Sequence, residues 1–165
     1  MGNAVRILQV NDTYTESDAR QEFADQRFDE RPIQDLITWA EEVVRDAKPD
    51  VVYTHSATDL NRDHRLVLEA VLIACRPIPG AVYPRRVLSF EIPGGQLAAF
   101  GPRVYVEIAG EPLARKLKAL ACYASEMRDF PHPRSAFAVQ ALASWRGANA
   151  GVPAAEAFEL VREIA

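Results

Sequence analysis

Apolar residues recur at three- and four-residue spacing through Ile33, Leu36, Ile37, Ala40, Val43, Val44 and Ala47. That period predicts a helix opened by Pro32, apolar on one face and ending near Pro49. Residues 51–54 then read as a short strand, and residues 65–75 as a second helix. In that helix Leu66, Val67, Leu68, Ala70, Val71, Leu72, Ile73 and Ala74 form an almost unbroken apolar run, which predicts burial on more than one side. Over residues 87–92 the period changes to two, with Val87, Ser89 and Glu91 opposing Leu88, Phe90 and Ile92. This is a strand stopped by Pro93-Gly94-Gly95. Residues 104–108 predict another strand, and residues 112–125, 136–146 and 154–164 three further helices. The short apolar segment 4–10 fits either a strand or the last turn of a helix, and the polar, acidic stretch 11–31 reads as a surface loop. Strands alternating with helices predict an α/β fold, and the length predicts one domain over residues 1–165.

Composition narrows the function classes. With 48% hydrophobic and 25% charged residues and a net charge of -4, the chain reads as an ordinary globular protein. No run of Lys or Arg forms a phosphate-tracking stripe, so no nucleic-acid partner is expected. No apolar stretch reaches the roughly 18 residues of a membrane span, and the amino terminus lacks a signal-peptide pattern. The two cysteines, Cys75 and Cys122, sit in apolar helical contexts that predict buried free thiols and a cytoplasmic setting.

Candidate chemistry concentrates in residues 54–65, where His55, Asp59, Asn61, Asp63 and His64 lie between an apolar strand and an apolar helix. The carboxyl end of a strand in an open α/β sheet is where ligands bind. His64 beside Asp63 suits metal ligation with a carboxylate fixing the imidazole, while Asp63 equally suits the N-cap of the following helix. A catalytic zinc takes three protein ligands plus water, and spacing alone does not show which residues of this loop converge.

At these residues the chain resembles the LmbE-like or PIG-L family of zinc-dependent N-acetylglucosaminide deacetylases. The landmarks are Phe23 to Asp29, Lys48 to His55, Asp59 to Arg65 and Ala74 to Pro77, followed by Phe100 to Val106, Lys116 to Leu120, Tyr123 to Glu126, Pro131 to Ser135, Arg146-Gly147 and Ala155 to Phe158. The resemblance implies a Rossmann-like sheet flanked by helices, zinc as cofactor, and an amino-sugar-containing small molecule or glycolipid as substrate. It implies His64 as a zinc ligand, with Asp63 orienting its surroundings. It also implies a catalytic role for Asn61, which stands where many members carry an oxyanion-stabilising His; an amide NH₂ can donate the same hydrogen bond. Asp25, Arg27, His55, Asp59, His132 and Arg134 are the implied substrate contacts.

One landmark is missing. The family's Ala-His-Pro-Asp-Asp-Glu motif, which supplies a His and an Asp ligand and the general base, does not occur in this sequence. The expectation is therefore a domain shortened at its amino terminus, lacking the first two strands of the usual sheet and inactive as this chain alone. Its exposed sheet edge would be covered by self-association or by a complementing chain. The alternative is a non-catalytic remnant that serves as a sugar-binding or assembly module.

Overall fold

The computed structural model describes Ala4 and residues 28–165. Segment 5–27, with the reading of residues 4–10 and of most of 11–31, lies outside the described residues. The described elements run α1 (Ile33–Ala47), β1 (Val51–His55), α2 (Arg62–Ala74), β2 (Arg86–Phe90), β3 (Val104–Glu107), α3 (Glu111–Leu120), α4 (Ala136–Ala150) and β4 (Ala155–Glu163). The α/β class expected from the sequence is the class observed. The chain divides into two compact units, one ending at Arg103 and resuming at Phe158, the other holding Val104–Ala157.

In the first unit β1 pairs parallel to β2, with Tyr53 beside Leu88 and His55 beside Phe90. β2 pairs antiparallel to the later residues of β4, with Ser89 beside Glu159 and a register shift at Val87/Leu88. Helix α1 ends where Lys48 enters the left-handed region (φ 47°), its N–H returning to the Val44 carbonyl. Pro49 then turns the chain into β1. The apolar stripe of α1 meets α2 in one cluster around Leu36, Ile37 and Ala70. A second cluster joins Val44, Cys75 and Val87, with Val71 and Leu72 against it, so α2 buries two sides as its continuous apolar run predicts. Each Leu, Ile or Val removed from water in these clusters contributes about 1.5–3 kcal/mol.

In the second unit β3 leads through Ile108 into α3, and the Ile108 N–H bonds to the Ala154 carbonyl just before β4. Ile108, Ala143 and Ala154 form the core, with Leu113 packed on it. Helix α4 starts at Ser135, whose side chain accepts the Ala138 N–H, and ends at Gly151 (φ 75°).

Several expectations are corrected. Residues 154–164 are a strand, not a helix. Their Ala and Glu content favours a helix locally, but Ala155 and Ala157 are buried and Leu160 and Phe158 pair with Leu88 and Phe90. Ladder bonds and burial outweigh propensity there. Helix α2 begins at Arg62, three residues earlier than expected, so its N-cap is Asn61 and Asp63 lies in its first turn. Helix α3 stops at Leu120, leaving Cys122 exposed; Cys75 is fully buried, and burial pushes its thiol above the ordinary range against the opposing pull of Arg162. No helix among the described residues is long and apolar enough to cross a membrane.

Candidate metal centre

The crest of β1 is built from short-range polar bonds. Ser56, fully buried, accepts the Thr58 N–H at its hydroxyl and donates to Glu159 Oε2 at 3.0 Å. The Asp59 N–H closes a turn on the Ser56 carbonyl. Asp59 Oδ1 accepts the Asn61 N–H at 2.8 Å, and Asn61 Oδ1 accepts the Asp63 N–H at 2.9 Å. These two side-chain turns pass the chain from loop to helix. The Arg65 guanidinium reaches back to the carbonyls of Asp59 (2.5 Å) and Leu60 (2.8 Å). From the other side, the Leu60 N–H bonds to the Gly95 carbonyl and the Leu97 N–H to that of Thr58, so the turn after β2 clamps the loop.

This clamp brings His55 from the end of β1, Asp59 from the loop and His64 from the first turns of α2 together. Their ligand atoms all lie within 4.8 Å of one another. The imidazoles of His55 and His64 stack, with centroids 3.9 Å apart and planes 9° apart. Asp59 is 1% exposed, and its Oδ2 lies 2.8 Å from His64 Nδ1, so that nitrogen keeps its proton and donates it to the carboxylate. His55 Nδ1 is buried with no hydrogen-bond partner. Burial first, and the neighbouring His64 second, push the His55 pKa down to about 4 against the opposing charge of Asp59. His55 is therefore a neutral imidazole at pH 7, with a lone pair to offer.

The donor set fits zinc. Two imidazoles and a carboxylate are the N/O ligands that zinc takes, three protein ligands leave a position open, and a buried ring nitrogen without a partner is the kind of atom a cation satisfies. Asp63 is only partly buried and is not among the converging residues. Asn61 is exposed, with its amide oxygen committed to the cap. Asp25 and Arg27 lie outside the described residues. His132 and Arg134 belong to the second unit, where neither joins the converging set; His132 Nδ1 accepts the Arg134 N–H, and the Arg134 guanidinium pairs with Glu126 at 2.5 Å.

Sequence reasoning missed Glu159. Its carboxylate ties together the Ser56 hydroxyl, the Ser89 hydroxyl at 3.1 Å and the Gly101 N–H at 3.0 Å, which seats the start of the crest loop. Read as a helix residue, it carried no signal of such a role.

Comparison with known proteins agrees with this fold. The family model described as PIG-L: GlcNAc-PI de-N-acetylase matches residues 1–75. The uncharacterized deacetylase YaiS of Escherichia coli (strain K12) is 32% identical over 123 residues, covering 72% of this chain and 60% of the relative. The chain thus spans less than two thirds of that relative's length. The crystal structure of the conserved protein TT1542 from Thermus thermophilus matches with a TM-score of 0.72 at 20% identity, over 99% of this chain and 72% of that one. GalB, the 4-carboxy-2-hydroxymuconate hydratase of Pseudomonas putida KT2440, matches with a TM-score of 0.68 at 18% identity, over 96% of this chain and 78% of its own. At such identities the two structures speak for the fold alone, and a hydratase among them illustrates that a fold does not dictate a reaction.

Proposed function

We propose that this chain, whose first 75 residues match the PIG-L family model, is a zinc-binding domain of that lineage, with His55, Asp59 and His64 as the metal ligands. The reaction of the lineage is hydrolysis of an N-acetyl group from an amino sugar. The observation that carries the proposal is the convergence of these three side chains around a buried, unpartnered imidazole nitrogen. Bound zinc would polarise an acetamide carbonyl and lower the pKa of its water. Asp59 fixes the tautomer and orientation of His64. Asn61, whose amide oxygen caps α2, offers its NH₂ group to the developing oxyanion, and Asp63 sets the first turn that carries His64. Asp25 and Arg27 are the proposed contacts to sugar hydroxyls.

No carboxylate in this sequence stands in a His-Pro-Asp-Asp motif to take the proton of the attacking water. Turnover needs a group other than the three proposed ligands to take that proton. The second reading, a non-catalytic sugar-binding or assembly module, is favoured by that same missing motif.

Elemental analysis after exhaustive dialysis against zinc-free buffer tests the metal centre. About one zinc per chain is expected, lost in both His64→Ala and His55→Gln. Zinc far below one per chain, or retention in either variant, rejects the three-ligand site. Amine release from N-acetylglucosaminides by the zinc-loaded chain separates the two readings: release only when a His-Pro-Asp-Asp-bearing chain is added supports the enzyme, and sugar binding without release under both conditions supports the module.

A further inference from the structure

Asp59 has no polar atom without a partner. Its N–H closes on the Ser56 carbonyl, its Oδ1 takes the Asn61 N–H, its Oδ2 faces His64 Nδ1 at 2.8 Å, and its carbonyl takes an Arg65 N–H at 2.5 Å. The residue is 1% exposed, which leaves little room for water to replace a lost donor. A buried carbonyl stripped of its donor bears the full cost of desolvation, and a charge-assisted bond is the stronger kind to lose. The same Arg65 nitrogen, Nη1, also donates to the Leu60 carbonyl at 2.8 Å. Two successive carbonyl dipoles are thereby held towards one cation, an arrangement in which they would otherwise repel. Arg65 stands directly after His64 in the first turn of α2, so this one side chain ties the peptide that aims Asp59 to the turn that carries His64.

We infer that Arg65 is a positioning residue of the metal centre, holding the Asp59 backbone so that its carboxylate meets His64. The guanidinium acts through the two carbonyls and not on a ligand atom. Arg76 supplies the contrast, because its Nε donates to the Ile73 carbonyl at 3.0 Å at the far end of the same helix. The role deepens the zinc reading above and rests on it only for zinc affinity; the aim of Asp59 at His64 belongs to the metal-free chain.

Proton–nitrogen NMR of the full chain, chelator-treated and at neutral pH, follows the ring proton on His64 Nδ1, identified by its loss in His64→Gln. A protected ring proton is expected in the wild type and in Arg76→Gln. Arg65→Gln is expected to lose it to exchange with water, and Arg65→Lys, which keeps the charge but not the planar fork, to recover part of the protection. On zinc loading, Arg65→Gln weakens affinity about tenfold and Arg76→Gln leaves it unchanged. Should Arg65→Gln fail to fold, Arg65→Lys decides alone, with exchange faster than in the wild type. No protected proton in the wild type, undiminished protection in the Arg65 variants, or equal loss in Arg76→Gln each overturns the role. A wild-type chain that binds no zinc rejects the three-ligand site, while the ring proton still decides for or against Arg65.

Discussion

The crest loop around Asp59 and the packing around Gly147 hold the chain in opposite ways. At the crest, the side chains of Asp59, Asn61, His64 and Arg65 bond to atoms no more than six positions away, and the result is a set of aimed side chains. At Gly147 there is no side chain to aim. A Cβ there would stand 2.5 Å from the Val152 carbonyl oxygen and 2.7 Å from Ala154 N, so helix and returning chain touch backbone to backbone. The first region spends its residues on chemistry, the second on shape. Substitutions should therefore separate metal binding from stability.

The largest stability loss is expected at Gly147→Ala. Alanine raises intrinsic helix stability by about 1 kcal/mol, but contacts below 3 Å with backbone atoms force the helix away. A net loss of about 3 kcal/mol in urea unfolding is expected, with one zinc per chain retained by the folded fraction. Asp59→Asn should do the reverse. It keeps an oxygen for the Asn61 N–H but removes a proposed anionic ligand together with the acceptor that holds His64, so zinc affinity falls by about 100-fold or more with a smaller change in stability. Competition with a zinc-binding dye measures it. If Gly147→Ala also strips the folded chain of zinc, the two regions are not independent.

The same contrast explains what was legible in the sequence. Helices α1 and α2 and strands β1 to β3 follow from apolar period and proline placement, which are local. His55, Asp59 and His64 lie within ten residues of one another, so the sequence singled out the loop that carries the candidate cluster. Which residues converge was not legible: Asp63 and His64 are neighbours in sequence, yet Asp59 is the carboxylate that faces the imidazole. The Asn61 cap, two residues upstream of the expected Asp63 cap, rotates the start of α2 and decides this. Strand β4 was not legible either, because Ala- and Glu-rich residues become a strand only beside β2, some seventy positions away in the chain.

Acid should loosen the crest before the second unit. His55 has its pKa pushed down to about 4 in the folded chain, chiefly by burial, from an ordinary 6.5. Between those values the unfolded chain binds more protons than the folded one, so stability is full above pH 6.5 and falls as the pH drops towards 4. The ring is partly solvated, so screening reduces the effect to about 1–2 kcal/mol. Chelator-treated protein should lose that much in denaturant unfolding between pH 6.5 and 4. His55→Gln should flatten the slope over that window, and an unchanged slope would place the acid sensitivity elsewhere.

The two helix caps give the finest comparison. Asn61 caps α2 and Ser135 caps α4 by the same device, a side-chain oxygen accepting an N–H of the first turn. Replacing either by Ala should cost about 1 kcal/mol. Only Asn61 is also bonded through its own N–H to Asp59, and only its helix carries His64. Asn61→Ala should therefore weaken zinc about tenfold while Ser135→Ala leaves it unchanged, at equal cost in stability. Equal loss of zinc in both would mean that the metal centre senses global stability rather than the geometry of its own loop. A difference would show that the cap is part of the site, placing His64 by setting where its helix begins.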